Sequence, residues 1–180
     1  AGLRRAKTGV VTLPDGRSLP GTRRGAVAAG VATVSGDRQR YGLMLEKSLW
    51  ENIAQVRAVA LSRAGWLVSP ARLRESAVAQ MKKLSVRASS PNALAGSLSG
   101  GNQQKVVLAK WLESHPQVLL LDDPTRGVDI GAKSEMHRII RGLADDGVAV
   151  VLCSTDISEM ADLCDRVLIF RKQSLVDELD

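Results

Sequence analysis

The stretch V-L-L-L-D-D at residues 118–123 restricts the chain to a small set of folds. Consecutive apolar residues indicate a strand that is buried on both faces, which is typical of parallel sheets. Two more apolar runs follow, V-A-V-V-L at 148–152 and R-V-L-I-F at 166–170, with helical patterns between them. Strands that alternate with helices predict a three-layer α/β domain built on a parallel sheet.

The helices of this C-terminal half have recognisable limits. Apolar residues recur at helical spacing over residues 131–144, and Gly147 ends the pattern. Asp156 and Glu159 have the spacing of a capping pair, which predicts a second helix up to Leu163. Both helices follow a predicted strand directly, as parallel pairing requires.

The N-terminal half begins with a hairpin pattern, G-V-V-T-L-P-D-G-R-S-L-P at 9–20. A short Ala-rich helix at 25–30 and a strand at 31–34 follow. Residues 48–61 and 70–83 are predicted to be helices, the latter starting at a Ser-Pro boundary. This half therefore contributes one strand to the sheet and then a mainly helical segment.

The stretch L-S-G-G at residues 98–101 precedes another predicted helix, at 102–113. Adjacent glycines are entropically costly, so they indicate a backbone path that other residues cannot follow. A Ser99-Gly100-Gly101 turn at a helix start presents backbone N–H groups and the positive end of the helix dipole. Such a turn is suited to phosphate.

Asp122 and Asp123 follow the first apolar run, at the strand edge where open α/β sheets bind ligands. Asp122 is placed to hold Mg²⁺, and Asp123 to orient or activate a water. Acids that only cap the loop would give the same spacing, so this pattern alone leaves both interpretations open.

Composition excludes some classes of protein. A hydrophobic fraction of 44% fits a globular domain, and no run approaches the roughly 18 apolar residues of a membrane span. The net charge of +6 comes from the first 40 residues, which suits nucleic acid, lipid or phosphate, although a solvated Arg-rich surface is the simpler interpretation. Cys153 lies in an apolar run, which predicts a reduced, buried thiol in a cytosolic setting.

The order of L-S-G-G-N-Q-Q-K, L-D-D-P-T-R-G-V-D and V-V-L-C-S-T-D resembles the ATP-binding-cassette (ABC) ATPases. Those proteins carry a signature motif, a Walker B strand, a D-loop and a switch loop in this order. The wording of D-R-Q-R-Y-G-L and P-T-R-G-V-D-I-G-A-K looks like the C-terminal, second cassette of the tandem ATPases of bacterial monosaccharide importers of the ribose, galactose and xylose type.

The resemblance implies a role for each matching position, with ATP and Mg²⁺ as cofactors. The signature-motif residues Ser99, Gly100, Gly101 and Gln103 would contact an ATP held mainly by the opposite cassette. Asp122 would hold Mg²⁺ through water, and Asp129 would be the D-loop acid at the interface of the two cassettes. Asp37 and Arg38 lie in the Q-loop region, which in this family touches the membrane subunit.

Three positions depart from the family pattern. Asp123 stands where the catalytic glutamate is usual and is one methylene shorter, so its carboxylate falls short by roughly 1.5 Å. Thr155 stands at the switch histidine, and Gly36 at the Q-loop glutamine. These departures predict weak hydrolysis in this cassette. His137 is expected to be an ordinary surface or packing residue.

A Walker A loop, G-x-x-x-x-G-K-[ST], is missing from the sequence. Residues 1–8, A-G-L-R-R-A-K-T, place Lys7 and Thr8 correctly, but Ala1 and Ala6 stand where both glycines are needed. We interpret residues 1–8 as the end of a helix and expect the phosphate loop upstream. The chain would then be an incomplete cassette without its phosphate-loop strand, and its unpaired strand edges predict self-association.

These expectations combine into a domain plan and a location. Residues 1–42 and 99–180 would form a partial P-loop NTPase-like core with an N-terminal hairpin, and residues 43–98 an inserted helical subdomain. The resemblance implies a second cassette and transmembrane permease subunits as partners, at the cytoplasmic face of the bacterial inner membrane. This isolated chain would be inactive, and no nucleic acid is expected.

Two alternatives remain. The basic first 40 residues would suit a non-transport ABC ATPase that acts on nucleic acid or ribosomes. Asp123, Thr155 and Gly36 would suit a catalytically inactive regulatory cassette. The residues of the motifs D-R-Q-R-Y-G-L and P-T-R-G-V-D-I-G-A-K favour the sugar-importer interpretation.

Overall fold

The computed structural model describes residues 9–57 and 69–180. The predicted helix end at 1–8 and the last four residues, 58–61, of the predicted helix at 48–61 lie outside these residues. The regular elements of the described ranges are α1 (Arg23–Ala28), β1 (Val31–Ser35), α2 (Leu49–Val56), α3 (Pro70–Lys83), α4 (Gly100–Leu112), β2 (Val118–Asp122), α5 (Ile130–Asp145), β3 (Ala149–Cys153), α6 (Ile157–Leu163), β4 (Val167–Arg171) and β5 (Ser174–Leu179).

The strands β1, β2 and β3 form a parallel sheet in that order. Their register places Ser35, Asp122 and Cys153 side by side at the carboxyl edge. The predicted parallel α/β core is therefore confirmed, and the two candidate acids lie at the edge where the sequence places them.

The two faces of this sheet are covered by different elements. Ala32, Val34, Leu119 and Leu121 belong to a core that includes residues of α2, α3, α4 and α5. The alternate positions Val31, Val118 and Leu120 pack with residues of the N-terminal hairpin and α1. Alternation along β1 and β2 thus gives three layers, as predicted.

The hairpin at 9–20 is reduced to one antiparallel bridge, between Thr12 and Ser18. Its turn is closed by the N–H of Gly16, which donates to the carbonyl of Leu13 at 2.9 Å. The Pro and Gly of P-D-G allow this turn.

The helical segment packs onto α4. Helix α2 starts with a capping box in which Ser48 and Glu51 exchange hydrogen bonds, and it packs against both α3 and α4. Helix α3 starts at Pro70 as predicted, because the Pro ring fixes φ and lacks the N–H that the first turn leaves unpaired. Because α4 also packs on β1, it joins this segment to the sheet.

The third apolar run does not join the parallel sheet. It forms β4, which pairs antiparallel with β5, an element that the sequence analysis did not predict. Within the described residues, β3 pairs with β2 alone. The side chain of Cys153 is accordingly exposed, so its predicted burial is wrong: an apolar run is buried only where a neighbouring layer covers it.

Candidate functional site

The carboxyl end of β2 turns sharply at Asp123. Its φ is 44°, in the left-handed region that Asp tolerates better than most residues. Its N–H donates to the carbonyl of Cys153 at 2.8 Å, which extends the contact with β3 by one residue. Asp122, at the strand end, remains exposed. The two neighbouring carboxylates therefore have different surroundings.

The carboxylate of Asp123 is bound by the loop after β3. The backbone N–H of Thr155 donates to Asp123 Oδ1 at 2.9 Å, and the Thr155 hydroxyl donates to the same oxygen at 3.2 Å. The structure thus brings together the predicted base position and the predicted switch position. A general base must reach its water directly or through one water, and here one of the two oxygens is already occupied.

Gly36 directly follows β1 and lies against the backbone of Asp122 and Asp123. A Cβ at Gly36 would collide with the carbonyl oxygen of Asp123 and would lie 3.0 Å from that of Asp122. The backbone after β1 therefore packs directly on the backbone after β2, and this arrangement leaves no room for a glutamine side chain. The family resemblance identified Gly36 as the glutamine position, but it did not predict that the two backbones approach each other so closely there.

A buried carboxylate links the two loops of the site. Glu159 in α6 accepts hydrogen bonds from Thr125 Oγ1 at 2.7 Å and Ser154 Oγ at 2.5 Å. His137 Nε2 lies 3.4 Å from the same carboxylate. The predicted capping pair is therefore half right. Asp156 caps α6 by accepting from the Glu159 N–H, but the Glu159 side chain turns inward.

The second group of predicted residues lies at the start of α4. Ser99 is the N-cap residue but caps no backbone N–H with its side chain; its hydroxyl accepts from Asn102 Nδ2 at 3.1 Å. A Cβ at Gly101 would collide with that of Ala132 in α5, so glycine is required for the two helices to approach this closely. The first turn of α4 thus presents amides that its own cap residue leaves unbound.

A cavity of about 210 Å³ opens beside this helix start. It is lined by Arg87, Ser99, Gly101, Asn102, Lys105, Asp129, Gly131, Ala132 and Glu135. Lys105 Nζ donates to Glu135 Oε2 at 2.6 Å, and this contact lowers the pKa of Glu135. Asp129 caps α5 by accepting from the N–H of Ala132 at 2.9 Å. The structure therefore places the predicted D-loop acid beside the predicted signature motif.

Gln103 has a different environment from the other predicted signature residues. It is buried; its Nε2 donates to the Ala95 carbonyl at 3.2 Å and its Oε1 accepts from Arg38 Nε at 3.2 Å. The structure thus gives it two protein partners away from the cavity-lining residues. Asp37 is also engaged locally, since its carboxylate accepts from the N–H of Arg40.

The described residues contain no group of three or more His, Cys, Asp or Glu that could hold a metal by themselves. The exposed carboxylate of Asp122 at the strand end instead suits an Mg²⁺ ion whose other ligands are phosphate oxygens and water. Among these residues, no helix has the length and apolar character needed to cross a membrane.

A model of the ABC transporter ATPase family matches residues 1–126, more than half of the chain. The chain belongs to the ABC transporter family. As an ABC cassette it has the fold that the sequence predicts, with a P-loop NTPase-like parallel sheet flanked by helices.

Named relatives add detail to the family. The ribose import ATP-binding protein RbsA of Rhodococcus jostii is 47% identical over 165 residues, which cover 91% of this chain and 33% of that protein. The arabinose import ATP-binding protein AraG of Pseudomonas syringae pv. tomato is 42% identical and covers 100% of this chain and 36% of its own length. The ABC chain thus spans about a third of these relatives.

Solved structures agree on the fold. A nucleotide-free ATP-binding cassette from an ABC transporter superposes with a TM-score of 0.83 at 17% identity, covering 98% of this chain and 71% of that one. A dimeric ATP-binding cassette in a post-hydrolysis state with ADP and Pi gives 0.79 at 21% identity, covering 99% and 75%. At these identities the likeness concerns the ABC cassette fold alone.

Proposed function

We propose that this chain is part of the ATP-binding subunit of a bacterial sugar importer and corresponds to its second, C-terminal cassette. The subunit would couple ATP binding and hydrolysis to carbohydrate uptake. The relatives named for ribose and arabinose import support this, at 47% and 42% identity. The motifs D-R-Q-R-Y-G-L and P-T-R-G-V-D-I-G-A-K support the assignment to the second cassette.

The observation that carries the proposal is the start of α4. Ser99, Gly100 and Gly101 begin a 13-residue helix whose first amides lack a side-chain cap, next to an open cavity that Asp129 also lines. An uncapped helix start attracts anions through its N–H groups and dipole. In this role Ser99, Gly100 and Gly101 contact the γ-phosphate of an ATP held mainly by a second cassette, while Gln103, whose amide binds Ala95 and Arg38, lies behind them without contacting it.

Mg²⁺ would accompany the nucleotide. Asp122 is exposed at the strand end and fits a water-mediated contact to Mg²⁺, whose remaining ligands come from phosphate and water. When bound, the ion neutralises phosphate charge. Asp129, at the helix α5 start, is placed to contact the facing cassette.

Hydrolysis by this half is proposed to be weak. Asp123 carries the shorter acid, one of its oxygens is bound twice by Thr155, and Gly36 offers no side chain to the site. The same observation favours one alternative, a cassette that binds ATP at the interface and regulates but does not hydrolyse.

The assembly follows from the same proposal. A Walker A loop preceding residue 1 would supply the phosphate cradle, and residues 1–42 with 99–180 would be the core and 43–98 the helical subdomain. The partners would be a second cassette, in the same polypeptide, and transmembrane permease subunits at the cytoplasmic face of the inner membrane. The length of the relatives, about three times the matched region, leaves room for a second cassette.

Calorimetric titration of Mg-ATP into the 180-residue chain and into the full-length natural protein tests the phosphate loop. We expect binding by the full-length protein only. Tight binding by the 180-residue chain would mean that residues 1–8 form a phosphate loop after all, and absence of binding by both would overturn the proposed function.

The role of the α4 start is tested in the full-length protein with S99R, which blocks the helix start, and with S97R as control. Ser97 is exposed two residues earlier and donates only to the Leu94 carbonyl. We expect S99R to abolish most ATP hydrolysis and S97R to retain it. Equal activity of the two variants would contradict a phosphate contact at Ser99.

A further inference from the structure

The short π-helical turn Arg38–Gly42 lies along one stripe of α4. Its first residue, Arg38, donates to Gln103; a Cβ on its last residue, Gly42, would lie 2.8 Å from a methyl of Val107; and the Gly42 carbonyl accepts from Lys110 Nζ. Residues 103, 107 and 110 are spaced four and three apart and share one helix face. The turn is therefore fixed to α4 at both of its ends.

Arg38 also reaches across to the loop between β2 and α5. Its Nη1 donates to the Arg126 carbonyl at 2.9 Å and its Nη2 to the Gly127 carbonyl at 3.4 Å. These carbonyls come just before Asp129, the N-cap of α5. One guanidinium therefore binds α4 and the Asp129 loop at the same time, across 65 and 88 residues of sequence.

The geometry suits arginine and no other cation. Three N–H groups of the planar guanidinium, Nε, Nη1 and Nη2, donate to three separate acceptors, whereas a lysine ammonium is a single point on a flexible stem. Gly100 makes room for the guanidinium, since a Cβ there would lie 2.6 Å from Arg38 Nη2 and 3.1 Å from the Gly127 carbonyl. The absence of a side chain at Gly100 thus has a local cause independent of nucleotide.

We propose that Arg38 is a positioning residue that holds the Asp129 loop against the start of α4, so that the signature and D-loop residues meet a partner cassette as one preset surface. The inference about activity rests on the proposed function. Arg38 acts through its acceptors, Gln103 and the Arg126 and Gly127 carbonyls. Without it the loop's own turn hydrogen bonds, from the N–H groups of Arg126 and Val128, open more often, because the guanidinium no longer ties the loop to α4.

The first arm of the test needs no nucleotide. Amide hydrogen exchange is measured on the full-length protein without nucleotide for R38A, R38K and R40A. Arg40 lies in the same turn, is exposed and stacks on Tyr41 at 5.2 Å, so R40A is the matched control. We expect exchange at Arg126 and Val128 to be roughly tenfold faster in R38A and R38K and unchanged in R40A. Unchanged exchange in R38A overturns the proposal.

The second arm measures ATP hydrolysis by the full-length protein with the same three variants. We expect kcat to fall roughly tenfold in R38A and R38K with KM for ATP within about twofold of the natural protein, because a displaced loop misplaces groups at the reacting centre. A general loss of stability would instead lower the active fraction and respond to temperature. Faster exchange with an unchanged kcat overturns the positioning role.

The two arms separate the two proposals. If the natural full-length protein hydrolyses no ATP, the proposed function fails, while hydrogen exchange still decides whether Arg38 holds the loop. If the natural protein is active and R38K matches it in both arms, the requirement for a guanidinium is wrong and the inference falls while the proposed function stands.

Discussion

Thr155 donates two hydrogen bonds to a single carboxylate oxygen of Asp123, from its backbone N–H at 2.9 Å and from its hydroxyl at 3.2 Å. The pair occupies the position where the family resemblance implies a base and a switch histidine. Because the shorter acid is drawn toward the switch loop, it is less able to reach a water above the strand edge.

Placing the glutamate and histidine that are usual in the family at positions 123 and 155 is expected to increase hydrolysis. In the full-length protein, with the second cassette that we propose for it disabled, D123E combined with T155H is expected to raise turnover roughly tenfold or more, since a well-placed base contributes at least that much. T155S keeps both donors and is the control, with turnover unchanged. Turnover that stays at background in D123E/T155H would show that hydrolysis is limited by another feature.

Adding a side chain at Gly36 is expected to destabilise the fold. A Cβ there collides with backbone that cannot move without disturbing β2, so G36A is expected to lose about 1–3 kcal/mol of unfolding free energy. Gly142, in α5, has nothing within 4 Å of its hypothetical Cβ. G142A is therefore expected to gain about 0.5–1 kcal/mol. Urea unfolding of both variants checks the prediction, and equal shifts would contradict the close approach.

Removing the Glu159 carboxylate is expected to loosen both loops at once. E159A leaves the hydroxyls of Thr125 and Ser154 without their buried acceptor, which is expected to cost about 3 kcal/mol. The exposed neighbour Ser158 provides the control, S158A, with a change below about 0.5 kcal/mol. Thermal or urea unfolding measures both. A small effect of E159A would mean that water replaces the carboxylate.

Lys110 makes stability depend on alkaline pH. Burial lowers its pKa from 10.5 to about 8. Between these values the unfolded chain binds more protons than the folded one, so this residue makes unfolding free energy rise as pH increases from about 8 to 10.5. Below about pH 8 both states are protonated, and the folded state carries the full desolvation penalty.

K110M removes that titration. The stability difference, K110M minus natural chain, is expected to fall across pH 8–10.5 by an amount on the order of 3 kcal/mol at most. K82M, on the exposed side of α3, controls for general effects of losing a lysine. Urea unfolding at several pH values gives the result. A pH-independent difference for K110M would show that Lys110 titrates normally in the folded chain.

The exposed β3 and the β4–β5 pair predict self-association of the isolated chain. Val151 is 51% exposed on β3, and Phe170 on β4 is 65% exposed. Sedimentation is expected to show association that grows with concentration and that V151K reduces, since a charge on an edge strand opposes pairing. Val10 is also exposed, at 75%, but lies in the hairpin, so V10K should change nothing. A monomer at all concentrations would contradict the prediction.

Sequence patterns predicted the strands and helix starts that depend on residues close together in the chain. The apolar runs identified β1, β2 and β3, and the Ser-Pro boundary identified the start of α3. The Ser-Gly-Gly boundary identified the start of α4 to within two residues, because Gly100 and Gly101 belong to the first turn of the helix and do not form a turn before it. The positions of Asp122 and Asp123 at the sheet edge followed from parallel pairing.

Contacts between distant residues were not predictable in this way. The acceptors of Arg38 lie 65 to 89 residues away, and Glu159 looked like a capping residue because its spacing from Asp156 fits one. The partner of β4 could not be chosen either, since R-V-L-I-F suits a parallel or an antiparallel neighbour. In each case the deciding information is which surfaces meet after folding.

Gly101 and Ala132 define how close α4 and α5 come, and they do so with one methyl group between two backbones. Together the two residues set the distance between α4 and α5. Exchanging the two residues would leave one methyl group between the helices, whereas a methyl group on both residues would push the helices apart and widen the mouth of the cavity. The geometry of the surface at the start of α4 therefore depends on both positions together, and neither residue alone determines it.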